Sequence, residues 1–343
     1  MVTIYDIAKE TGFSAPTISK ALNGSGSLSK ATREKIIETA KKMGYEPNMS
    51  ARTLATKKSR LIGVIYDDTG MNRGFTHPLF SVLLNRFREQ IEQAGYDLIF
   101  LSRHFNMSYY AHATFRSVDG IIIINPAEYN AKYYEEFLAQ HIPCVSTNTI
   151  LDGIPTIITE NEIGGYQAAE YFIKKGHKKL AYLCGPRNRF SSAAEDRFTG
   201  FKRACADYGI EFDESLFEEC DYWHMEAGIE GFKRLYQRNK DFTAVFACSD
   251  SYAYGILKYA EEKGIRIPED ISIIGFDNDA GTEYAKPHLT TFQHDAFKIA
   301  EMAAELLFQQ LCDIPIPDIV RFPPIFIERN SVKDLTQPTK SED

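Results

Sequence analysis

Between Ser14 and Asn23 the chain sets Ala15, Pro16, Ser19 and Lys20 at spacings that turn them outward from one short helix, while Ile18, Ala21 and Leu22 turn inward. Such a set can read duplex DNA. Laid in the major groove, Lys20 can donate to guanine O6 or N7, Ser19 can reach a base edge, and Ala15 and Pro16 offer apolar surface suited to a thymine methyl. Tyr5, Ser14, Thr17 and Asn23 can donate to phosphates and fix the register. A small helical bundle used for protein contact is the alternative use of the same residues.

Three helices must hold these groups. Thr3 followed by Asp6 predicts a capping-box start, Ile4, Ile7 and Ala8 an inward face, and Gly12 a stop in the left-handed conformation. Ser14 predicts the cap of the second helix, with Pro16 in its first turn and Gly24 at its end. The turn between the two has the length of a helix-turn-helix unit. Ser29 predicts the cap of a third, with Ile36, Ile37, Ala40 and Met43 on its buried stripe and Gly44 after it.

Charge agrees with this division. The first 60 residues hold 11 Lys and Arg against 5 Asp and Glu, so the remainder of the chain's 39 and 47 is 28 against 42: a head of +6 on a body of -14. An acidic body is repelled by a phosphate backbone, which confines nucleic-acid contact to the head.

The runs TIYDIAKETGFSAPTISKALNG and TREKIIETAKKMGYEPNMSARTLAT resemble the N-terminus of the lactose-repressor and galactose-repressor (LacI/GalR) family of bacterial transcription regulators. The resemblance implies that the segment after the third helix is a hinge that inserts a leucine into the minor groove at the operator centre, with Leu54 as the matching residue after Ala51 and Arg52. Asn48 can cap a hinge helix over 49–56, but so short a helix is unstable alone in water and folds only when docked. Two such wedges from a homodimer would kink the middle of a pseudo-palindromic operator.

Beyond residue 60, the apolar runs LIGVIY, DLIFL, GIIIIN, KKLAYL, AVFAC and ISIIGF alternate with amphipathic stretches such as 79–94 and 164–175, the pattern of a doubly wound α/β body with parallel sheets. Its length predicts two lobes with a cleft at the carboxyl ends of the strands. The resemblance extends here through VDGIIII, EYFIKKGHKKLAYLCGP, RFTGF, ACSDSYAYG, PEDISIIGFDN and YAKPHLTT, and implies a periplasmic-binding-protein-like effector domain. The expected organisation is a helix-turn-helix domain over 1–47, a hinge over 48–59, an N-terminal lobe of 60–160 with 292–322, a C-terminal lobe of 161–291 with 323–335, and a polar tail over 336–343.

By motif position the resemblance makes Arg197 the arginine that forks onto ligand hydroxyls, Asp277 the acid that accepts from them, and Trp223, the only tryptophan, an aromatic wall for a sugar ring. Asp67, His77 and Phe80 in the long loop after the first strand, Asn148 after IPCVST, and Ser249 with Asp250 at the end of AVFACSD complete the candidate effector set. Asp250 could equally cap the next helix. The chain departs from the common pattern at Glu160 and Asn161, where many members have Asp-Asn, and at His294, where glutamine often stands.

Six cysteines without metal spacing imply neither a zinc nor a redox site and fit a reducing cytosol. No apolar signal segment, membrane-length run, phosphate loop, dinucleotide fingerprint or GxSxG elbow is present, so the expectation is a cytoplasmic, non-enzymatic regulator without a cofactor. The resemblance implies a small sugar as effector; a purine, a phosphorylated sugar or a corepressor protein are alternatives. From another class, the alternative is a cytosolic sugar-binding or sugar-processing protein with a basic N-terminal extension.

Overall fold

The structure is a computed structural model that describes residues 2–24, 26–46, 58–67, 74–102, 107–125, 132–187 and 192–337. The chain forms two compact units, Met1–Ser59 and Arg60–Asp343.

In the first unit, helix α1 (Ile4–Thr11) starts at Thr3, whose hydroxyl accepts from the Asp6 amide while the Asp6 carboxylate accepts from the Thr3 amide at 2.8 Å. Gly12 ends it at φ 77, a conformation that costs glycine little. Helix α2 (Ala15–Leu22) is capped by Ser14 and carries Pro16 in its first turn, where a missing N–H leaves nothing unsatisfied. Helix α3 (Lys30–Lys42) is capped by Ser29, which accepts from the Thr32 amide at 3.1 Å. Ile7, Ile18, Ala21, Ile36 and Ala40 meet in one core. Ile37, expected inward, is 39 % exposed, because a helix that buries Ile36 turns the next residue about 100° away.

The second unit runs β1 (Leu61–Tyr66), α4 (Pro78–Gln93), β2 (Asp97–Phe100), α5 (Tyr109–Arg116), β3 (Gly120–Asn125), α6 (Lys132–Ala139), β4 (Cys144–Thr147) and β5 (Thr156–Thr159). It continues with α7 (Asn161–Lys174), β6 (Leu180–Cys184), α8 (Ala193–Asp207), β7 (Phe217–Glu219), α9 (Met225–Arg238), β8 (Ala244–Ala247), α10 (Asp250–Lys263) and β9 (Ser272–Ile274). It closes with β10 (Thr291–Gln293), α11 (Ala296–Gln310), β11 (Ile319–Phe322) and β12 (Ile325–Ile327).

The strands form a six-stranded parallel sheet in the order β11-β5-β4-β3-β1-β2, a four-stranded parallel sheet in the order β7-β6-β8-β9, and an antiparallel pair of β10 with β12. Helices cover both faces of the larger sheet. Ile62, Val64 and Ile122 pack with Leu83 and Phe87 of α4 and Leu307 of α11, while Ile65, Ile121 and Ile123 pack on the other side with Ala113 of α5 and Phe137 of α6. Burial on both faces is why these strands are continuous apolar runs. The chain leaves the larger sheet after β5, returns from β10 into α11, and leaves again between β11 and β12.

Helices α7 and α8 cross at backbone contact. A Cβ on Gly165 would lie 1.8 Å from the Arg197 carbonyl oxygen, and one on Gly200 would lie 1.9 Å from that of Glu162. This crossing sets Arg197 at the ends of β5 and β8.

Candidate functional site

On the head, Tyr5 is 72 % exposed, and Ser14, Pro16 and Lys20 are exposed on one side of α2, with Ala15, Thr17, Ser19 and Asn23 half-buried beside them. The Lys20 stem rests against Gly26, so its ammonium is carried outward on a supported chain. The Ser14 and Thr17 hydroxyls are 2.9 Å apart, and Asn23 donates to the Ser19 hydroxyl at 3.2 Å, which leaves a second amide proton for another acceptor. Asn48, Ala51 and Leu54 lie outside the described residues.

In the second unit the candidate residues follow the carboxyl ends of the parallel strands: Asp67 after β1, Asn148 after β4, Ser249 and Asp250 after β8, and Asp277 after β9. Arg197 is buried; its Nε donates to Asn161 Oδ1 at 2.8 Å, its Nη1 to the Cys248 carbonyl at 2.5 Å, and its guanidinium lies 3.4 Å from the Phe276 ring centroid. Among the described residues nothing accepts from Nη2. Asp277 sits at φ 119, a conformation side chains rarely adopt. Its Oδ1 accepts from His294 Nε2 at 3.1 Å, and no described residue donates to Oδ2. Burial pushes the Asp277 carboxyl upward, but the His294 hydrogen bond and the nearby Arg197 and His77 outweigh it and hold the group below its ordinary value.

Asp250 has a different place. It is fully buried, its oxygens accepting from the Thr291 hydroxyl at 2.7 Å and from the Asp279 amide at 2.8 Å, so it braces the turn that carries Asp277. Burial, and then the charge of Asp277, raise it to about 8. Ser249 is buried with its hydroxyl unpaired among the described residues, and it does not cap α10, which leaves a donor and acceptor open at this strand end.

Trp223 lies flat on Tyr252, centroids 5.8 Å apart at 2°, and a Cβ on Gly185 would lie 2.3 Å from the indole. His77 stands ahead of α4 and packs on Phe80 in its first turn, with ring centroids 4.3 Å apart. Asp67 joins this edge through its backbone, which bonds to Asn125. Asn148, at φ 68, follows β4 in the six-stranded sheet, and no hydrogen bond connects it with Arg197 or Asp277. The sequence alone assigns no site role to Asn161, Phe276 or His294, although His294 and Glu160, the neighbour of Asn161, stand out as departures from the common pattern.

Comparison with known proteins decides the family. Residues 3–48 match the bacterial regulatory proteins of the lacI family, and residues 169–332 match the periplasmic binding protein-like domain. Catabolite control protein A of Priestia megaterium is 30% identical over 312 residues, covering 89% of this chain and 91% of that protein. The chain belongs to the LacI family. The transcriptional regulator DegA of Bacillus subtilis is 31% identical over 311 residues, 88% of each protein. Among solved structures, the lac repressor dimer bound to operator has a TM-score of 0.78 at 24% identity over 97% of this chain and 99% of its own, and a LacI family regulator from Enterococcus faecium with bound ribose has 0.69 at 29% over 80% and 99%.

This LacI-family member is a DNA-binding transcriptional regulator, with the helix-turn-helix head and periplasmic-binding-protein-like body of its relatives. Those relatives are regulators, not sugar-processing enzymes. Among the described residues no helix is long and apolar enough to cross a membrane, and no His, Cys, Asp and Glu cluster suits a metal ion.

Proposed function

We propose that this regulator represses a carbohydrate-utilisation operon in the cytoplasm by binding a pseudo-palindromic operator as a homodimer, with its affinity set by a small neutral sugar in the cleft of the body. The single observation that carries the effector reading is the pairing of one open donor, Arg197 Nη2, with one open acceptor, Asp277 Oδ2, at adjoining strand ends. A hydroxyl group needs both. Asn161, Cys248 and Phe276 anchor Arg197, and the ionised Asp277 near it repels a phosphate, which favours a neutral polyol over a phosphorylated sugar. Trp223 supplies a ring face for sugar C–H groups. The ribose bound to the Enterococcus faecium regulator and the cellobiose bound to the regulator CelR support this ligand class.

In the same reading, α2 enters the major groove with Lys20, Ala15, Pro16 and Ser19 toward the bases, and Leu54 wedges into the minor groove at the dyad. The hinge spans 48–59, and the two lobes divide at 160, 291 and 323. The head is tested by duplexes selected from a random pool: Lys20→Ala should relax discrimination at one base step per half-site by about 1–3 kcal/mol, whereas Ser14→Ala should weaken all sequences alike. A Lys20→Ala protein with native base preference would remove α2 from the recognition role.

A further inference from the structure

We infer that His294 is a positioning residue for effector capture, tying one oxygen of Asp277 so that the other is presented to a ligand hydroxyl. This rests on the reading that the effector occupies the Arg197 and Asp277 site.

His294 directly follows β10, where the chain returns toward α11, and it is 5 % exposed. Its Nδ1 lies 2.6 Å from the hydroxyl of Thr159, the last residue of β5, where the chain first leaves the larger sheet. Its Nε2 lies 3.1 Å from Asp277 Oδ1. One imidazole therefore joins two of the connections between the sheets to the strained turn that carries the acceptor. The ring stands edge-on to Phe276 at 5.1 Å, the same ring that carries the Arg197 guanidinium, so donor and acceptor of the site share one support.

The hydrogen bonds fix the tautomer. An ionised Asp277 can only accept, so Nε2 carries the proton and Nδ1 accepts from the Thr159 hydroxyl. Burial lowers the imidazole's proton affinity, Asp277 raises it, Arg197 lowers it again, and the balance is downward. Other charged or titratable groups near this centre, among the described residues, include Asp250 at the start of α10, Asp279 in the turn after β9, His77 ahead of α4, Glu160 beside Thr159, and Asp295 next in the chain. When acid protonates His294, the imidazolium takes up the charge of Asp277 and weakens it as an acceptor for the ligand. A glutamine at this position donates a comparable hydrogen bond and does not titrate.

The full-length chain tests this in two ways. Long-range nitrogen-15 spectra of the ligand-free protein, with the His294 signal identified by its loss in His294→Gln, should show a neutral ring protonated at Nε2 near neutral pH. The signal should shift in Asp277→Asn. An imidazolium at neutral pH, or a proton on Nδ1, overturns the inference. Calorimetry with D-ribose and with cellobiose reads the consequence: native affinity should fall as pH is lowered from about 7, where Asp250 already holds its proton, through and below the ordinary histidine value of about 6.5. His294→Gln should keep native affinity within about twofold and lose that dependence, and His294→Leu should bind about tenfold more weakly. Unchanged pH dependence in His294→Gln, or native affinity in His294→Leu, also overturns it. If neither sugar releases heat, the sugar reading fails, while the spectra still decide the role of His294.

Discussion

At the scale of single residues, the site contains one fully buried and one partly buried carboxyl, Asp250 and Asp277, driven in opposite directions. Asp277 is held down by His294, Arg197 and His77 against the effect of burial, while Asp250 is raised to about 8 by burial and by Asp277 itself. The unfolded value of an aspartate is about 3.9, so between that and about 8 the folded protein holds a proton that the unfolded chain has released. The contribution of Asp250 is thus complete below its unfolded pKa and is lost as pH rises through its folded one. His177 and His294, both lowered by burial, act the other way: their contribution is present above the unfolded histidine value and is lost as pH falls through the folded ones. Asp250→Asn keeps partners for Thr291 and the Asp279 amide but cannot ionise. Its thermal midpoint relative to native should therefore rise with pH between about 5 and 8, by on the order of 2–4 °C, and then level off. A difference that does not vary with pH, or that grows toward acid, would contradict this account of the pair. Arg197 and Asp277 were legible because they sit in the family motifs RFTGF and GFDN, but the role of His294 depends on Thr159, 135 residues away, and no local pattern encodes such a contact.

At the scale of elements, the crossing of α7 and α8 decides where Arg197 points. Backbone oxygens occupy the space that a Cβ would need at Gly165, and backbone cannot yield as a flexible side chain can. Gly165→Ala should destabilise the protein by about 3 kcal/mol or more in urea unfolding. Gly209→Asn, at φ 71 with nothing within 4 Å of its Cβ position, should cost far less, since asparagine tolerates this conformation. Equal midpoints for the two variants would show that the close crossing does not hold Arg197. The elements that sequence made legible are those with a period or a cap: α1 to α3 through Thr3, Ser14 and Ser29, and the apolar strands β1, β3 and β8. Strands β7, β10 and β12 have only three residues each, too few to show alternation, and β11 is an edge strand with Arg321 in its middle, so their pairing is fixed by tertiary contact alone. KKLAYL predicts a strand from Lys178, but β6 starts at Leu180, because the two lysines remain in water and only the apolar part is enclosed.

At the scale of the whole molecule, a basic head and an acidic body separate DNA binding from ligand binding along one chain, and the proposed effector site links them. Arg197 is the residue whose loss should break that link without touching the head. The most direct measurement is fluorescence anisotropy of a labelled duplex selected by the native protein, titrated at fixed salt with native chain and with Arg197→Ala, each with and without the sugar that binds. Both proteins should bind the duplex equally without sugar, and sugar should change the native operator Kd by about tenfold or more, in either direction, while leaving that of Arg197→Ala unchanged. An Arg197→Ala protein that responds to the sugar as the native one does would contradict the account.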